Sequence, residues 1–140
     1  MDNRNEVTKD NLTILIIEDQ EFFLEVFRIA FSEYNIISAS SGEEGLQQFY
    51  DHSVDIVVLD ICLPDIDGFR VLSEIKNVDP DAFVLIISAL NNNDYVKKCK
   101  DMGAVGFLGK PYKKEYIEYY IEQYIHNKNT SGVSAAGEIL

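Results

Sequence analysis

Five short runs of β-branched and aliphatic residues, each followed by a segment with helical spacing, constrain the fold of this chain more than any other feature. The runs are Leu12–Ile17, Asn35–Ala39, Val54–Leu59, Phe83–Ile87 and Val105–Leu108. They are close to continuously apolar rather than alternating, the habit of strands covered on both faces in a parallel sheet. Between them, apolar residues recur at three- and four-residue intervals. Phe22, Phe23, Val26, Phe27, Ala30 and Phe31 stripe the first helix, and Leu46 and Phe49 mark the second. Val71, Leu72 and Ile75 belong to the third, Tyr95, Val96, Cys99 and Met102 to the fourth. Tyr116, Ile117, Tyr120, Ile121, Tyr124 and Ile125 belong to the last.

The punctuation agrees with this reading. Ser41-Gly42-Glu43-Glu44 is a helix start with acids in the first turn. Asp79-Pro80-Asp81 closes the third helix, and Gly103 sits where a left-handed C-terminal cap belongs. Strand–helix alternation of this kind implies right-handed crossovers and a doubly wound α/β fold of three layers. Residues 12–126 are expected to form one domain. Residues 1–11 read as a flexible N-terminal segment, and 127–140, polar and small, as a flexible tail or linker stub.

At 140 residues and 46% hydrophobic content, the chain suits one ordered domain. A formal net charge of −12 argues against an electrostatic grip on nucleic acid or an anionic membrane. Cys62 and Cys99 make neither a disulfide scaffold nor a Cys-x-x-Cys metal site, and read as two small buried or half-buried thiols. Met1 to Asp10 has no apolar core of a secretory signal, and no run approaches the ~18 residues of a membrane span. The expected compartment is the cytoplasm, where the glycosylation pattern at Asn11-Leu12-Thr13 has no meaning.

In an open parallel sheet, functional groups gather at the carboxyl ends of the strands, near the point where strand order reverses. Glu18-Asp19 follows the first run, Asp60 the third, Ser88-Ala89 the fourth, and Lys110-Pro111 the fifth. Taken singly, each has an ordinary role: a helix-start acid pair, a turn aspartate, a strand-ending serine, a surface lysine. Taken together, they would converge on one rim. At ~4 Å and an effective dielectric near ~20, each like-charge pair costs roughly 4 kcal/mol. Such a cluster survives by protonation, by pairing with a cation, or by binding a metal. An incomplete all-oxygen set suits Mg²⁺, with Mn²⁺ as a substitute, better than Ca²⁺. Asp60 could then act as a nucleophile toward phosphorus, with Lys110 as a mobile counter-charge and Ser88 as a hydrogen-bond donor to the phosphoryl group.

Four motifs together resemble the CheY-like receiver domain of two-component response regulators. They are Ile14-Leu15-Ile16-Ile17-Glu18-Asp19, Asp60-Ile61-Cys62-Leu63-Pro64-Asp65-Ile66-Asp67-Gly68, Ile86-Ile87-Ser88-Ala89 and Phe107-Leu108-Gly109-Lys110-Pro111. The resemblance implies a (βα)5 fold with flavodoxin-like strand order 2-1-3-4-5. It also implies phosphoryl transfer from a sensor histidine kinase or phosphotransfer protein onto Asp60. By position, Asp19 becomes a direct Mg²⁺ ligand, Glu18 acts near the metal through water, and the Cys62 carbonyl completes the protein ligands. Ser88 and Phe107 match the switch pair, Lys110 the phosphate-pairing lysine, and Pro111 a cis proline. The face of the fourth helix, fifth strand and fifth helix is implied as a homodimer or output surface. Its several tyrosines exceed what one buried stripe can hold.

Four positions depart from the commoner pattern. Cys62 and Leu90 flank the expected phosphoryl position, Phe107 lacks a tyrosine hydroxyl, and Gly109 precedes the lysine. Other motifs fail on inspection: no complete P-loop, no EF-hand acid preceding Asp65, no dinucleotide fingerprint, and no partner for His52 or His126. Two rival functions remain open at this point. One is a Mg²⁺-dependent phosphatase with an aspartate nucleophile, which usually wants a second acid where Cys62 stands. The other is a receiver-like interaction module that signals without phosphorylation.

Overall fold

The computed structural model describes residues 6–90 and 92–137, with side chains through residue 130. Its elements are β1 (Thr13–Ile17), α1 (Glu21–Ala30), β2 (Asn35–Ala39), α2 (Gly42–Asp51), β3 (Ile56–Asp60), α3 (Gly68–Val78), β4 (Phe83–Ser88), α4 (Asn93–Asp101), β5 (Gly106–Gly109) and α5 (Lys114–Gly137). A short 3₁₀ turn, Lys9–Asn11, precedes β1. All strand pairs are parallel, and the order is β2-β1-β3-β4-β5, as the resemblance implied.

The apolar runs are two-sided, as a sheet with helices on both faces requires. Ile14, Ile16, Val58, Leu85 and Ile87 face one layer with Leu24 and Phe27 of α1, Phe31 at its C-terminal end, and Ile117, Ile121 and Tyr124 of α5. Leu15, Ile17, Val57, Leu59, Val84 and Ile86 face the other, against Leu46, Val71, Leu72, Ile75 and Cys99 of α2, α3 and α4. Neighbouring residues on one central strand thus bury into opposite layers, which is why Ile14–Ile17, Ile56–Leu59 and Val84–Ile87 carry no polar residue, whereas the edge strand β2 keeps Asn35 and Ser38.

The helix ends follow their signals. Ser41 Oγ accepts the Glu44 amide at 3.1 Å, Asp79 ends α3, and Gly103 takes φ +98° after α4. Gly45 lies against β1, where a Cβ would come within 2.5 Å of Ile17.

Three expectations need correction. On α1 the stripe is narrower than its apolar residues suggested: Phe22 and Val26, with Ile29, are exposed, while Leu24, Phe27 and Phe31 carry the packing. A helix seated flat on a sheet buries one face only, and α1 has more apolar residues than that face holds. Cys62, in the loop after β3, is exposed and not half-buried although its Sγ reaches Ser88 Oγ, whereas Cys99 is buried. Finally, α5 continues past His126 to Gly137. Asn129 Nδ2 donates to the Val7 carbonyl at 2.9 Å and its Oδ1 accepts the Val7 amide at 2.8 Å, so a side chain there bonds the segment before β1 as a strand would. Residues 1–5 and 138–140 of the two expected flexible segments lie outside the described residues. No helix among the described residues is long and apolar enough to cross a membrane.

Candidate functional site

Glu18 follows β1 directly and its amide bonds the Ala39 carbonyl at 3.0 Å, so it extends the β1–β2 pairing by one step. Asp60 is the last residue of β3, Ser88 the last of β4, and Lys110 follows β5 with its amide on the Ser88 carbonyl at 2.8 Å. These positions stand on four adjacent strands at one rim. The β1–β3 pair at its centre is the point where the chain's winding reverses.

Glu18 and Ser88 are fully buried, and Asp60 retains 3% of its exposure. Carboxylate oxygens of Glu18, Asp19 and Asp60 lie within 4.8 Å of one another, with Asp19 the exposed member. Lys110 Nζ donates to Asp60 Oδ2 at 2.7 Å and pairs closely with Glu18 Oε1; its side chain is 5% exposed. The second oxygens are held as well: Cys62 N–H donates to Asp60 Oδ1 at 2.9 Å, and Gln20 N–H to Glu18 Oε2 at 3.1 Å.

One ammonium serving three acids leaves an excess of two negative charges at full ionisation. Burial pushes the Glu18 carboxyl up to about 7, with Asp60 adding to the effect and Lys110 and the Gln20 amide opposing it. For Lys110, burial works against the charge, but the bonds and attraction to Asp60 and Glu18 outweigh it, and its pKa rises. Burial, then the charges of Glu18 and Asp60, raise the nearby Tyr112 phenol to about 12.

The remaining expected residues fall around this centre. Ser88 Oγ accepts the Leu90 amide at 2.9 Å and lies 3.5 Å from Cys62 Sγ, so the serine and the departing cysteine are neighbours. The Lys110–Pro111 peptide is cis. Phe107 is not at the centre: it packs with the α2–α4 layer and lines, with Val96, Cys99 and Lys100, a pocket of about 250 Å³.

Two neighbours of the site were not apparent from the sequence. The Phe23 ring lies 4.4 Å from Lys110 Nζ and covers the ammonium on one side; in sequence it was only one more member of the α1 stripe. Asp65, set aside with the EF-hand pattern, binds the start of α2 with both oxygens. Gly68 closes the same loop, because a Cβ there would sit 2.3 Å from the Ile61 carbonyl oxygen.

Comparison with known proteins agrees with the geometry. The model of the response regulator receiver domain family matches residues 14–122. The chemotaxis protein CheY of Halobacterium salinarum is 31% identical over 106 residues, 74% of this chain and 88% of that protein. A cyclic di-GMP phosphodiesterase of Thermotoga maritima is 30% identical over 119 residues, 84% of this chain but 32% of that protein. The chain likewise spans 54% of a C4-dicarboxylate response regulator, DctR, of Priestia megaterium. Among solved structures, CheY in a CheX–CheY–BeF3–Mg²⁺ complex from Borrelia burgdorferi is 36% identical with a TM-score of 0.75, covering 80% of this chain and 87% of that one. A receiver domain from Methanospirillum hungatei, 20% identical, superposes with a TM-score of 0.81 over 86% of this chain and 98% of its own. With its motifs at the expected strand ends and its family model spanning nearly all of the sheet and helices, this chain belongs to the response-regulator receiver-domain family.

Proposed function

We propose that the domain accepts a phosphoryl group on Asp60 from the phosphohistidine of a sensor kinase or phosphotransfer protein, and switches conformation to control a partner or output domain. One observation carries this reading. Asp60 is a buried carboxylate at the switch-point rim, with one oxygen on the Cys62 amide and the other on the Lys110 ammonium. That arrangement orients a nucleophile and keeps a movable positive charge beside it.

The acid trio fits a hard divalent ion: the donors are all oxygen, the set is incomplete, and two negative charges are left over by Lys110. Asp19, Asp60 and the Cys62 carbonyl would hold Mg²⁺, or Mn²⁺ in its place, with Glu18 acting through water. Such an ion would neutralise charge on the phosphoryl oxygens. The Mg²⁺ and BeF3 named in the Borrelia CheY complex support the assignment. In the transfer, an Asp60 oxygen forms the bond to phosphorus as the phosphorus–nitrogen bond to the donor imidazole breaks and the imidazole takes up a proton. Lys110 then moves from Asp60 Oδ2 to a phosphoryl oxygen, and Ser88 turns its hydroxyl to the same group. The change passes through Ser88 and the β5 residue Phe107 to the α4–β5–α5 face, where Val105, Tyr116 and Tyr119 are exposed. The exposed Phe22 and Val26 of α1, beside Pro111 and Tyr112, offer the donor protein an apolar approach next to Lys110.

The domain turns over only itself, which makes it a phosphoacceptor and not an enzyme acting on external substrates. Treatment with acetyl phosphate and Mg²⁺ should add the mass of one phosphoryl group to the wild type and none to Asp60→Asn. Labelling that persists in Asp60→Asn, or a wild type that never labels, would overturn the assignment. Sustained phosphate release from an external phosphomonoester would instead favour the phosphatase.

A further inference from the structure

The first turn of α2 exposes amide groups that the helix cannot bond itself. Ser41 Oγ takes that of Glu44. Those of Gly42 and Glu43 go to Asp65, 2.8 Å to Oδ1 and 2.9 Å to Oδ2, from a loop more than 20 positions further along the chain. One carboxylate therefore straddles the positive end of a helix to which it does not belong. Its own pKa is lowered: slight burial works the other way and is outweighed by the backbone N–H groups of Gly42 and Glu43.

The surroundings are shaped for this grip. A Cβ on residue 42 would come within 2.5 Å of the side chain of Ile66, the loop residue after Asp65, so any larger residue would displace that side chain from the start of α2. At the loop's far end Gly68 is pressed onto Ile61. Between these fixed points the Cys62 amide holds Asp60 Oδ1. Where that amide stands, and hence how Asp60 is turned, depends on a loop anchored three residues later by Asp65.

We propose that Asp65 is a positioning residue for the phosphoryl-acceptor site: its two-oxygen grip on the start of α2 holds the β3–α3 loop so that the Cys62 amide and carbonyl stay aligned with Asp60. This rests on the reading of Asp60 as the acceptor. The test compares Asp65→Ala, Asp65→Asn and Ser41→Ala in the full chain. Mg²⁺ affinity, the acetyl phosphate labelling rate, urea stability and the Cys62 amide resonance of the metal-free protein are measured. Asp65→Ala should weaken Mg²⁺ binding and slow labelling by roughly tenfold, as loss of charged hydrogen bonds does, and should shift the Cys62 resonance. Asp65→Asn, keeping one acceptor oxygen, should fall between it and the wild type, and it supports the comparison if the alanine variant unfolds. Ser41→Ala removes a cap from the same helix without touching the loop, so it should cost stability and leave affinity and rate within about twofold. If Asp65→Ala behaves as Ser41→Ala does, losing stability alone, Asp65 is a helix cap and the proposal is overturned. A wild type that neither binds Mg²⁺ nor labels sinks the reading of Asp60 instead, while a Cys62 shift in Asp65→Ala would still uphold the grip.

Discussion

Glu18→Gln should make the metal-free protein more stable, and by an amount that depends on pH. Glu18 is fully buried, and that burial, opposed only in part by Lys110 and the Gln20 amide, pushes its carboxyl from 4.5 up to about 7. At about 1.4 kcal/mol per pH unit, that difference amounts to roughly 3 kcal/mol. Below pH ~4.5 the folded and unfolded chains both hold the proton, so Glu18 costs nothing. Between ~4.5 and ~7 the unfolded chain has lost a proton that the folded one keeps, so raising the pH favours unfolding. Above ~7 both are ionised and the full cost remains. Glutamine has the same shape and no proton to lose. In EDTA at pH 8 the variant should therefore melt roughly 10 °C higher than the wild type, and the gap should close toward pH 4.5. Added Mg²⁺ should raise the wild type more than the variant, because the ion relieves a charge that the variant lacks. Thermal and urea unfolding at three pH values, with two-state behaviour checked, measure this. Equal melting at pH 8, or an advantage that persists unchanged at pH 4.5, would refute the argument.

Gly68→Ala forces a methyl group against the Ile61 carbonyl oxygen, at 2.3 Å if nothing moves. Urea unfolding should register a loss of about 3 kcal/mol despite the better helix propensity of alanine; a neutral result would mean that α3 can slide away from β3 freely. Asn129→Ala removes both bonds to Val7 and should lower stability by about 1 kcal/mol. Hydrogen exchange should show the Val7 amide losing its protection, and unchanged exchange there would contradict the tie.

What could be read in advance divides along physical lines. Burial on two faces leaves a local mark, since every residue of Ile14–Ile17 and Val57–Leu59 must be apolar, and the number of strands follows from that, whereas their order came only with the family resemblance. The meeting of Glu18, Asp60, Ser88 and Lys110 was legible for a related reason: polar residues that end buried strands all face one rim. Contacts between segments distant in sequence leave no such mark. Asp65 looks like any loop acid until Gly42 lies beside it, and Phe23 looks like any core aromatic until Lys110 is in place. On α1, composition records how many apolar residues there are but not which of them the sheet has room for, so the stripe did not tell the exposed Phe22 and Val26 from the buried Leu24 and Phe27. The polar stretch after His126 carried loop composition, yet α5 runs on through it. Once a helix is nucleated, each further residue adds a bond at little entropic cost, and here Asn129 has a partner in Val7.

The clasp between Val7 and Asn129 has a geographical consequence. It lies before β1 and beyond Tyr124, whose hydroxyl donates to Asp55 at 3.0 Å where β3 begins. Both ends of the described chain therefore leave from the rim opposite the acids. A five-residue strand is about 17 Å long, and anything continuing from either terminus would sense events at Asp60 only at that remove. On the proposed reading of Asp60, news of the chemistry would have to reach such a neighbour by the shifting of whole helices, or else bypass the termini and be read by a partner on the flank.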